Sequence, residues 1–236
     1  MTQARSADQS TPPSTGTVAP RRHFDGDGTK RPVVLEIECL NRRFGAKEVV
    51  ESLSVTVDRG ERVALCGSNG SGKTTVLRCI AGTLSPTAGA ISVEGLPAGS
   101  RGARRLVGLS LAQERSFYLR LSGRANLLFF ARLRHGREQD AIRDVRALEE
   151  ELEIVDIAAE RTDRCSAGML QQLAFARALL ADPTLVLLDE PTRSLDSSAV
   201  ERLWNALDRR PGTAVVIATH NPGDLAHCGA RVDLPT

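Results

Sequence analysis

The chain has 236 residues, of which 41% are hydrophobic and 25% are charged. This length and apolar content suffice for one substantial core, so we expect a single domain with at most a small insert. The formal net charge of +2 gives no electrostatic reason to expect nucleic acid or a charged membrane surface as a partner. No stretch reaches the roughly 18 apolar residues of a membrane-spanning helix, so any membrane role is expected to come through a partner.

Residues 1–31 predict a disordered tail, because they are rich in Ser, Thr, Pro, Gly and Arg and lack an apolar leader. An organellar transit peptide is the alternative, although Pro12 and Pro13 interrupt any amphipathic helix. Five scattered cysteines without C-x-x-C spacing favour reduced thiols in a cytosolic compartment. Cys165 precedes a predicted helix whose N-terminus could lower the pKa of its thiol, but a structural thiol is the simpler interpretation.

The runs at 33–39 and 53–57 alternate apolar and polar residues, which predicts half-exposed strands with turns at Gly45 and Gly60. We expect these strands to form an antiparallel edge of the main sheet.

A predicted phosphate-binding loop follows the apolar run 62–66. The segment GSNGSGKTT fits the pattern G-x-x-x-x-G-K-[ST] and leads into a helix-compatible sequence. Its glycines permit a tight turn that aims backbone N–H groups at a phosphate, and the following helix adds the positive end of its dipole. Lys73 can reach the β- and γ-phosphates, and the Thr74 hydroxyl can ligate Mg²⁺. A flexible glycine loop is the alternative, but chance produces this pattern in a chain of this length only about once in a hundred. The predicted nucleotide contacts are Gly67, Ser68, Asn69, Gly70, Ser71, Gly72, Lys73, Thr74 and Thr75.

Beyond β-like runs at 90–94 and 105–109, the pattern is helical from about 122 to 159, which marks a candidate insert. The remaining chain alternates helices and strands, which indicates a parallel sheet. The predicted elements are helix 168–181, strand 184–188, helix 196–209, strand 213–219 and helix 222–228.

Two adjacent carboxylates, Asp189 and Glu190, end the strand at 184–188. Ligands of open α/β sheets bind at the carboxyl ends of the strands, which favours a functional role for this pair. An SxGM turn opens the helix before that strand. A helix cap and an acidic turn would explain either feature alone, but the upstream phosphate loop favours function.

The order of these motifs resembles the nucleotide-binding subunit of ATP-binding cassette (ABC) transporters. The resemblance spans residues 33–229 and rests on the phosphate loop, Gln113, SAGM, LLDEP, SLD and His220 in that order. Residues 114–133 and the segment DEPTRSLD are more narrowly similar to ATPases that serve ABC-2-type exporters. The resemblance implies an α/β fold: a P-loop NTPase core with a mostly parallel sheet, an antiparallel N-terminal β subdomain and a small helical insert. The implied domain covers 32–236, with the insert at about 114–165.

The resemblance also implies roles for single residues. Phe44 matches the aromatic residue that stacks on adenine, and Gln113 matches the residue that reaches Mg²⁺ and the attacking water. Asp189 matches the Mg²⁺ ligand, and Glu190 matches the general base. His220 matches the switch residue at the γ-phosphate. The resemblance thus implies three catalytic residues, Glu190, His220 and Lys73. Taken singly, Phe44 would cover a strand edge and His220 would be a solvated loop residue.

Three further positions match elements that act across a dimer of ATPase protomers. Ser166 and Gly168 match the signature motif, which meets the γ-phosphate held by the partner, and Asp196 matches the element between the two sites. Taken alone, Ser166 is a good helix N-cap. Ala167 and Met169 depart from the common signature, and an Ala methyl could crowd the γ-phosphate, which leaves the turnover rate open.

The implied activity is ATP hydrolysis with Mg²⁺ that powers an integral membrane permease, with export as the favoured direction. The implied ATP-bound state is a homodimer or a dimer with a second ATPase subunit, without nucleic acid. The chain would then lie in the cytoplasm, on the inner face of the cell membrane through the permease. A soluble ABC-type ATPase or regulatory nucleotide-binding module is the alternative. The sequence after His220 is shorter than is usual in the family, so either the chain ends early or the last strands are dispensable.

Half of the chain's aromatic residues follow Gln113 closely. Their simplest interpretation is the core of a small helical subdomain. The alternative is a groove for a cytoplasmic helix of the permease, with Phe117 and Tyr118 at its lip. The four residues are Phe117, Tyr118, Phe129 and Phe130.

Overall fold

The computed structural model describes residues 32–111 and 117–235. The predicted tail at 1–31 and the predicted site residue Gln113 lie outside the described residues. The described strands are β1 (Val33–Phe44), β2 (Lys47–Asp58), β3 (Arg62–Cys66), β4 (Ala88–Val93), β5 (Leu96–Pro97), β6 (Val107–Ser110), β7 (Leu185–Asp189), β8 (Ala214–Ala218) and β9 (Ala230–Asp233). The described α-helices are α1 (Lys73–Ile80), α2 (Arg101–Leu106), α3 (Gly123–Arg134), α4 (Glu138–Glu151), α5 (Val155–Ala159), α6 (Ala167–Leu179), α7 (Ser197–Asp208) and α8 (Pro222–Leu225).

The N-terminal strands form an antiparallel sheet of their own, in the order β2-β1-β4-β5. β1 and β2 are a long hairpin around the turn at Gly45, and β4 pairs with the other side of β1. The expectation that β1 and β2 would be an edge of the main sheet was therefore wrong. The reason is that β4 takes the second edge of β1, a pairing between distant residues that no local pattern indicates.

The main sheet is parallel, in the order β6-β7-β8-β3-β9. Every residue of β7 and of β8 is buried, which explains their continuous apolar runs, because a parallel strand is covered on both faces. One apolar core lies between the two sheets around α1, and a second lies between the parallel sheet and the helices α3 to α7. The carboxyl ends of β3, β7 and β8 lie at one edge of the sheet, where the phosphate loop, Glu190 and His220 follow them.

Two local predictions differ from the structure. The predicted strand at 105–109 begins only at Val107, because Ser100 caps a short helix by accepting a hydrogen bond from Ala103 N at 3.2 Å. The predicted helix at 222–228 ends at Leu225, and β9 follows at the edge of the parallel sheet. Only Val232 is buried in β9, so the strand carries almost no apolar pattern.

Candidate functional site

The phosphate loop places a fixed positive charge at the N-terminus of α1. Gly72 has φ 97°, and a Cβ there would lie 2.7 Å from the carbonyl oxygen of Val49, so only glycine fits this turn. The Lys73 side chain is 7% exposed, and its Nζ donates hydrogen bonds to the carbonyl oxygens of Gly67 (2.8 Å) and Ser68 (3.0 Å). The ammonium and the dipole of α1 therefore both favour an anion at this loop.

Thr74 and Asp189 bring two oxygen groups together at the end of β7. The Thr74 hydroxyl donates to Asp189 Oδ2 at 2.7 Å, and Asp189 is 5% exposed. The pKa of the Asp189 carboxyl is raised, chiefly by burial and also by the charge of Glu190. The hydrogen bond from Thr74 and the charge of Lys73 oppose this shift.

This pair fits Mg²⁺, a hard cation that prefers oxygen ligands and is commonly held by one or two protein oxygens together with substrate phosphates. Among residues 32–111 and 117–235, no group of three or more His, Cys, Asp or Glu side chains could hold a metal by itself. A magnesium ion at Thr74 and Asp189 would take its remaining ligands from water and substrate phosphates.

Glu190 and His220 meet although they follow different strands. His220 Nδ1 lies 2.7 Å from Glu190 Oε1, and the backbone N–H of Glu190 donates to the carbonyl of Ala218 at 2.8 Å. Glu190 has φ 47°, a left-handed conformation that is uncommon for a residue with a side chain and often marks a functional site. The Glu190 side chain is 14% exposed and that of His220 is 69% exposed, so the pair spans the boundary between the protein and solvent.

One cleft of about 430 Å³ unites most of the predicted phosphate and metal residues. Its lining is Val49, Asn69, Gly70, Gly72, Lys73, Thr74, Thr75, Arg78, Asp189, Glu190 and Arg193. A neighbouring cleft shares Asn69, Glu190 and Arg193 with it and adds Thr192, His220, Asn221 and Pro222. Arg193 lines both clefts and was missed by the sequence analysis, since only its position three residues after Glu190 could have indicated it.

Phe44 ends β1 with its ring 48% exposed. The guanidinium carbon of Arg42 lies 4.4 Å from the ring centroid, a cation–π contact. Phe44 lines neither cleft, so adenine stacking on this ring stays a prediction.

The predicted signature motif forms the first turn of α6. Ser166 caps the helix: its Oγ accepts from Met169 N at 3.2 Å, and its own N–H donates to Met169 Sδ at 3.5 Å. The Met169 thioether thus takes the reciprocal position of a capping box, which is commonly Glu or Gln. Ala167 is exposed, so its methyl crowds nothing within the chain.

Asp196 caps α7. Its Oδ1 accepts from Ala199 N at 2.8 Å and from Ser198 Oγ at 2.7 Å, and these two bonds lower the pKa of the carboxyl. Like Ser166 and Gly168, Asp196 lines neither cleft. The roles expected for these three residues across a dimer stay predictions.

Around the insert, the structure decides between alternatives that the sequence left open. Phe117 is only 9% exposed, with the guanidinium carbon of Arg177 at 4.9 Å from its ring centroid, so it belongs to the core and not to the lip of a groove. Tyr118 is 51% exposed and contacts Phe129 edge to face at 5.0 Å. The pKa of Cys165 is raised by burial, Glu160 and Asp163, which contradicts the alternative of a lowered pKa and agrees with the favoured structural thiol.

The helices described in residues 32–111 and 117–235 include none with the length and apolar character needed to cross a bilayer.

Comparison with known proteins identifies the family of the chain. The family model described as "ABC transporter" matches residues 50–193. Nod factor export ATP-binding protein I of Rhizobium meliloti (strain 1021) is 36% identical over 199 residues, which cover 82% of this chain and 58% of that protein. The lipoprotein-releasing system ATP-binding protein LolD 2 of Rhodospirillum rubrum is 34% identical, over 85% of this chain and 93% of that protein.

A solved structure described as the ATP binding subunit of an ABC transporter superposes with a TM-score of 0.75 and 28% identity, over 85% of each chain. The chain spans only 58%, 63% and 62% of three Nod factor export relatives that it matches.

Proposed function

Because the chain belongs to the ABC transporter family, with the fold of its ATP-binding domain, we propose that it hydrolyses ATP with Mg²⁺ and thereby powers a membrane permease. Export is the proposed direction, since relatives named for Nod factor export are 34% to 37% identical to the chain.

The observation that carries this proposal is the contact between Glu190 and His220 beside the phosphate-loop cleft. Lys73 supplies positive charge for the phosphates, and Mg²⁺ held near Thr74 and Asp189 would neutralise charge that develops on the transferred phosphoryl group. The Glu190 carboxylate, held at 2.7 Å from His220 Nδ1, is an acceptor for a proton of the attacking water. His220 restrains the direction in which that carboxylate points.

The proposed working state is a dimer, formed with a second copy or with another ATPase subunit. Ser166 and Gly168 lie at the N-terminus of α6, outside the clefts that Lys73 and His220 line. They can contribute to hydrolysis if α6 of one protomer meets the γ-phosphate held by its partner, where the helix dipole and N–H groups favour an anion.

The proposed location is the inner face of the cell membrane, reached through the permease. Tyr118 and Phe129 are the surface offered to a cytoplasmic helix of that permease, because both rings are exposed and packed edge to face. Exposed aromatic rings of this kind are enriched where proteins meet.

The test of hydrolysis is Glu190→Gln, which keeps the size of the side chain but removes its charge. We expect this variant to bind MgATP, to hydrolyse it about 100-fold or more slowly, and to accumulate as a dimer. Phosphate release and light scattering after gel filtration measure these effects. Lys73→Ala is the control, because it should lose nucleotide affinity and remain monomeric. Turnover of Glu190→Gln at the wild-type rate would remove Glu190 from the role of general base.

The test of the permease is affinity purification of the chain from solubilised membranes. Recovery of a polytopic membrane protein together with the chain is the expected result. Recovery of soluble partners alone would instead favour a soluble ATPase or regulatory module.

A further inference from the structure

A hydrogen-bond network lies beside the Glu190–His220 pair and is centred on Asp224, which is 1% exposed. Asp224 Oδ1 accepts from the Thr192 hydroxyl and Oδ2 accepts from the Thr219 hydroxyl, both at 2.8 Å. Thr192 lies within the segment DEPTRSLD, but the sequence analysis gave no role to Thr192, Thr219 or Asp224.

Asn221 closes the network. Its Nδ2 donates to Thr192 Oγ1, and its backbone N–H donates to Thr219 Oγ1, both at 3.0 Å. Each threonine hydroxyl therefore donates its single hydrogen to Asp224 and accepts one from Asn221. Asn221 itself is exposed, but Thr192, Thr219 and Asp224 are buried. Buried polar groups that are paired in this way hold one arrangement, because alternatives leave a donor or an acceptor without a partner.

The network joins the two loops that carry the proposed catalytic residues. Glu190 directly follows β7, and Thr192 lies two residues further on. Thr219 directly follows β8 and precedes His220. The Thr219 hydroxyl also lies 3.5 Å from Glu190 Oε2. A shift of either threonine would move the residue beside it.

We propose that Asp224 is a positioning residue, which holds Thr192 and Thr219 together and so sets the separation of the Glu190 carboxylate from the His220 ring. The role rests on the proposed ATPase function, and Asp224 acts only through its neighbours. A misplacement of about 1 Å at a reacting group can cost about 100-fold in rate, so an indirect restraint of this kind is visible in kcat.

The test compares substitutions that differ in the hydroxyl of residue 192. Thr192→Val keeps the shape of the side chain and removes the donor to Asp224, whereas Thr192→Ser keeps the hydroxyl. Thr213→Val is the matched control, because Thr192 and Thr213 are both 8% exposed. Thr213 directly precedes β8, and its hydroxyl donates to the carbonyl of Pro183, outside the network. Asp224→Asn removes the charge at the centre of the network.

For Thr192→Val and Asp224→Asn, we expect kcat to fall about 10- to 100-fold, with a MgATP dissociation constant within about twofold of wild type. Thr192→Ser and Thr213→Val should keep the wild-type kcat. If Asp224→Asn does not fold, the Thr192→Val and Thr192→Ser pair still gives the answer.

Wild-type kcat in Thr192→Val would overturn the proposal. So would equal losses of kcat in Thr192→Val and Thr213→Val, which would indicate general destabilisation. If the wild-type chain hydrolysed no ATP, the proposed function would fail and Asp224 would lose this role with it.

Discussion

Gly168 is held as glycine by a contact that lies outside its own helix. A Cβ at this position would fall well inside contact distance of the Ser194 carbonyl oxygen, and Ser194 itself has φ 65°. The first turn of α6 and the segment after Glu190 therefore approach so closely that only a hydrogen atom fits between them. The neighbouring positions have no such contact: Ala167 is exposed, and Met169 takes the place of the usual polar partner of the Ser166 cap.

We predict that Gly168→Ala destabilises the protein by about 1–3 kcal/mol, as overpacking does, even though alanine is the better helix former. Chemical denaturation measures the free energy of unfolding. Gly136→Ala is the control, because a Cβ there meets nothing within 4 Å. A Gly168→Ala variant more stable than wild type would contradict this argument, because it would show that the Ser194 backbone can shift without loss of stability.

The insert combines a tight core with an exposed aromatic edge. Leu127, Val145 and Leu148 are at most 2% exposed where α3 and α4 pack together, and Arg124 donates two hydrogen bonds of 2.8 Å and one of 3.0 Å to the carboxylate of Glu149. These contacts fix the helices that present Phe129 to solvent. The insert therefore both packs tightly and exposes aromatic rings to solvent. The number of aromatic residues in the sequence could not distinguish these two roles.

We predict that Tyr118→Ala weakens retention of the chain by permease-containing membranes about tenfold, because it removes a large exposed ring from the proposed docking edge. Basal ATPase activity should be unchanged, since Tyr118 lines neither nucleotide cleft. Sedimentation with membranes and phosphate release measure the two effects. Val155→Ala, an exposed apolar residue of α5, is the control. Proportional loss of retention and ATPase activity would contradict a docking role.

At the scale of the whole molecule, a bidentate ion pair ties the insert to the core. Arg210, which follows α7, donates to both carboxylate oxygens of Glu151, the last residue of α4, at 2.8 and 2.7 Å. The two side chains are 18% and 16% exposed. The hydrogen bond from Arg210 lowers the pKa of Glu151; burial opposes this shift, while the charges of Arg210 and Arg209 add to it.

We predict that Glu151→Gln lowers the free energy of unfolding at pH 7 by about 1–2 kcal/mol, as loss of a charged hydrogen bond does. Because the folded-state pKa is depressed, this stability is present above the unfolded pKa of about 4.3 and is lost as pH falls through the folded value. The difference between variant and wild type should therefore shrink as the pH falls below about 4. Denaturation at several pH values measures it. Glu138→Gln, whose pair with Arg132 is 52% exposed on both sides, should change little, and an equal effect would contradict the argument.

Features that depend on local pattern could be predicted from the sequence. The phosphate loop, the order of strands and helices in the core, and the carboxylates at the end of β7 follow from residues that are close in the chain, because helix, strand and turn chemistry act over a few positions. The same patterns placed Lys73, Thr74, Asp189 and Glu190 at one edge of the sheet.

The packed fold was needed for every feature that depends on pairing between distant segments. It separated β1 and β2 from the main sheet, placed Phe117 inside and Tyr118 outside, and enclosed Asp224 between Thr192 and Thr219. Burial and hydrogen-bond pairing are properties of the packed chain. The sequence around Asp224 therefore does not indicate that the fold places the hydroxyls of Thr192 and Thr219 against its carboxylate.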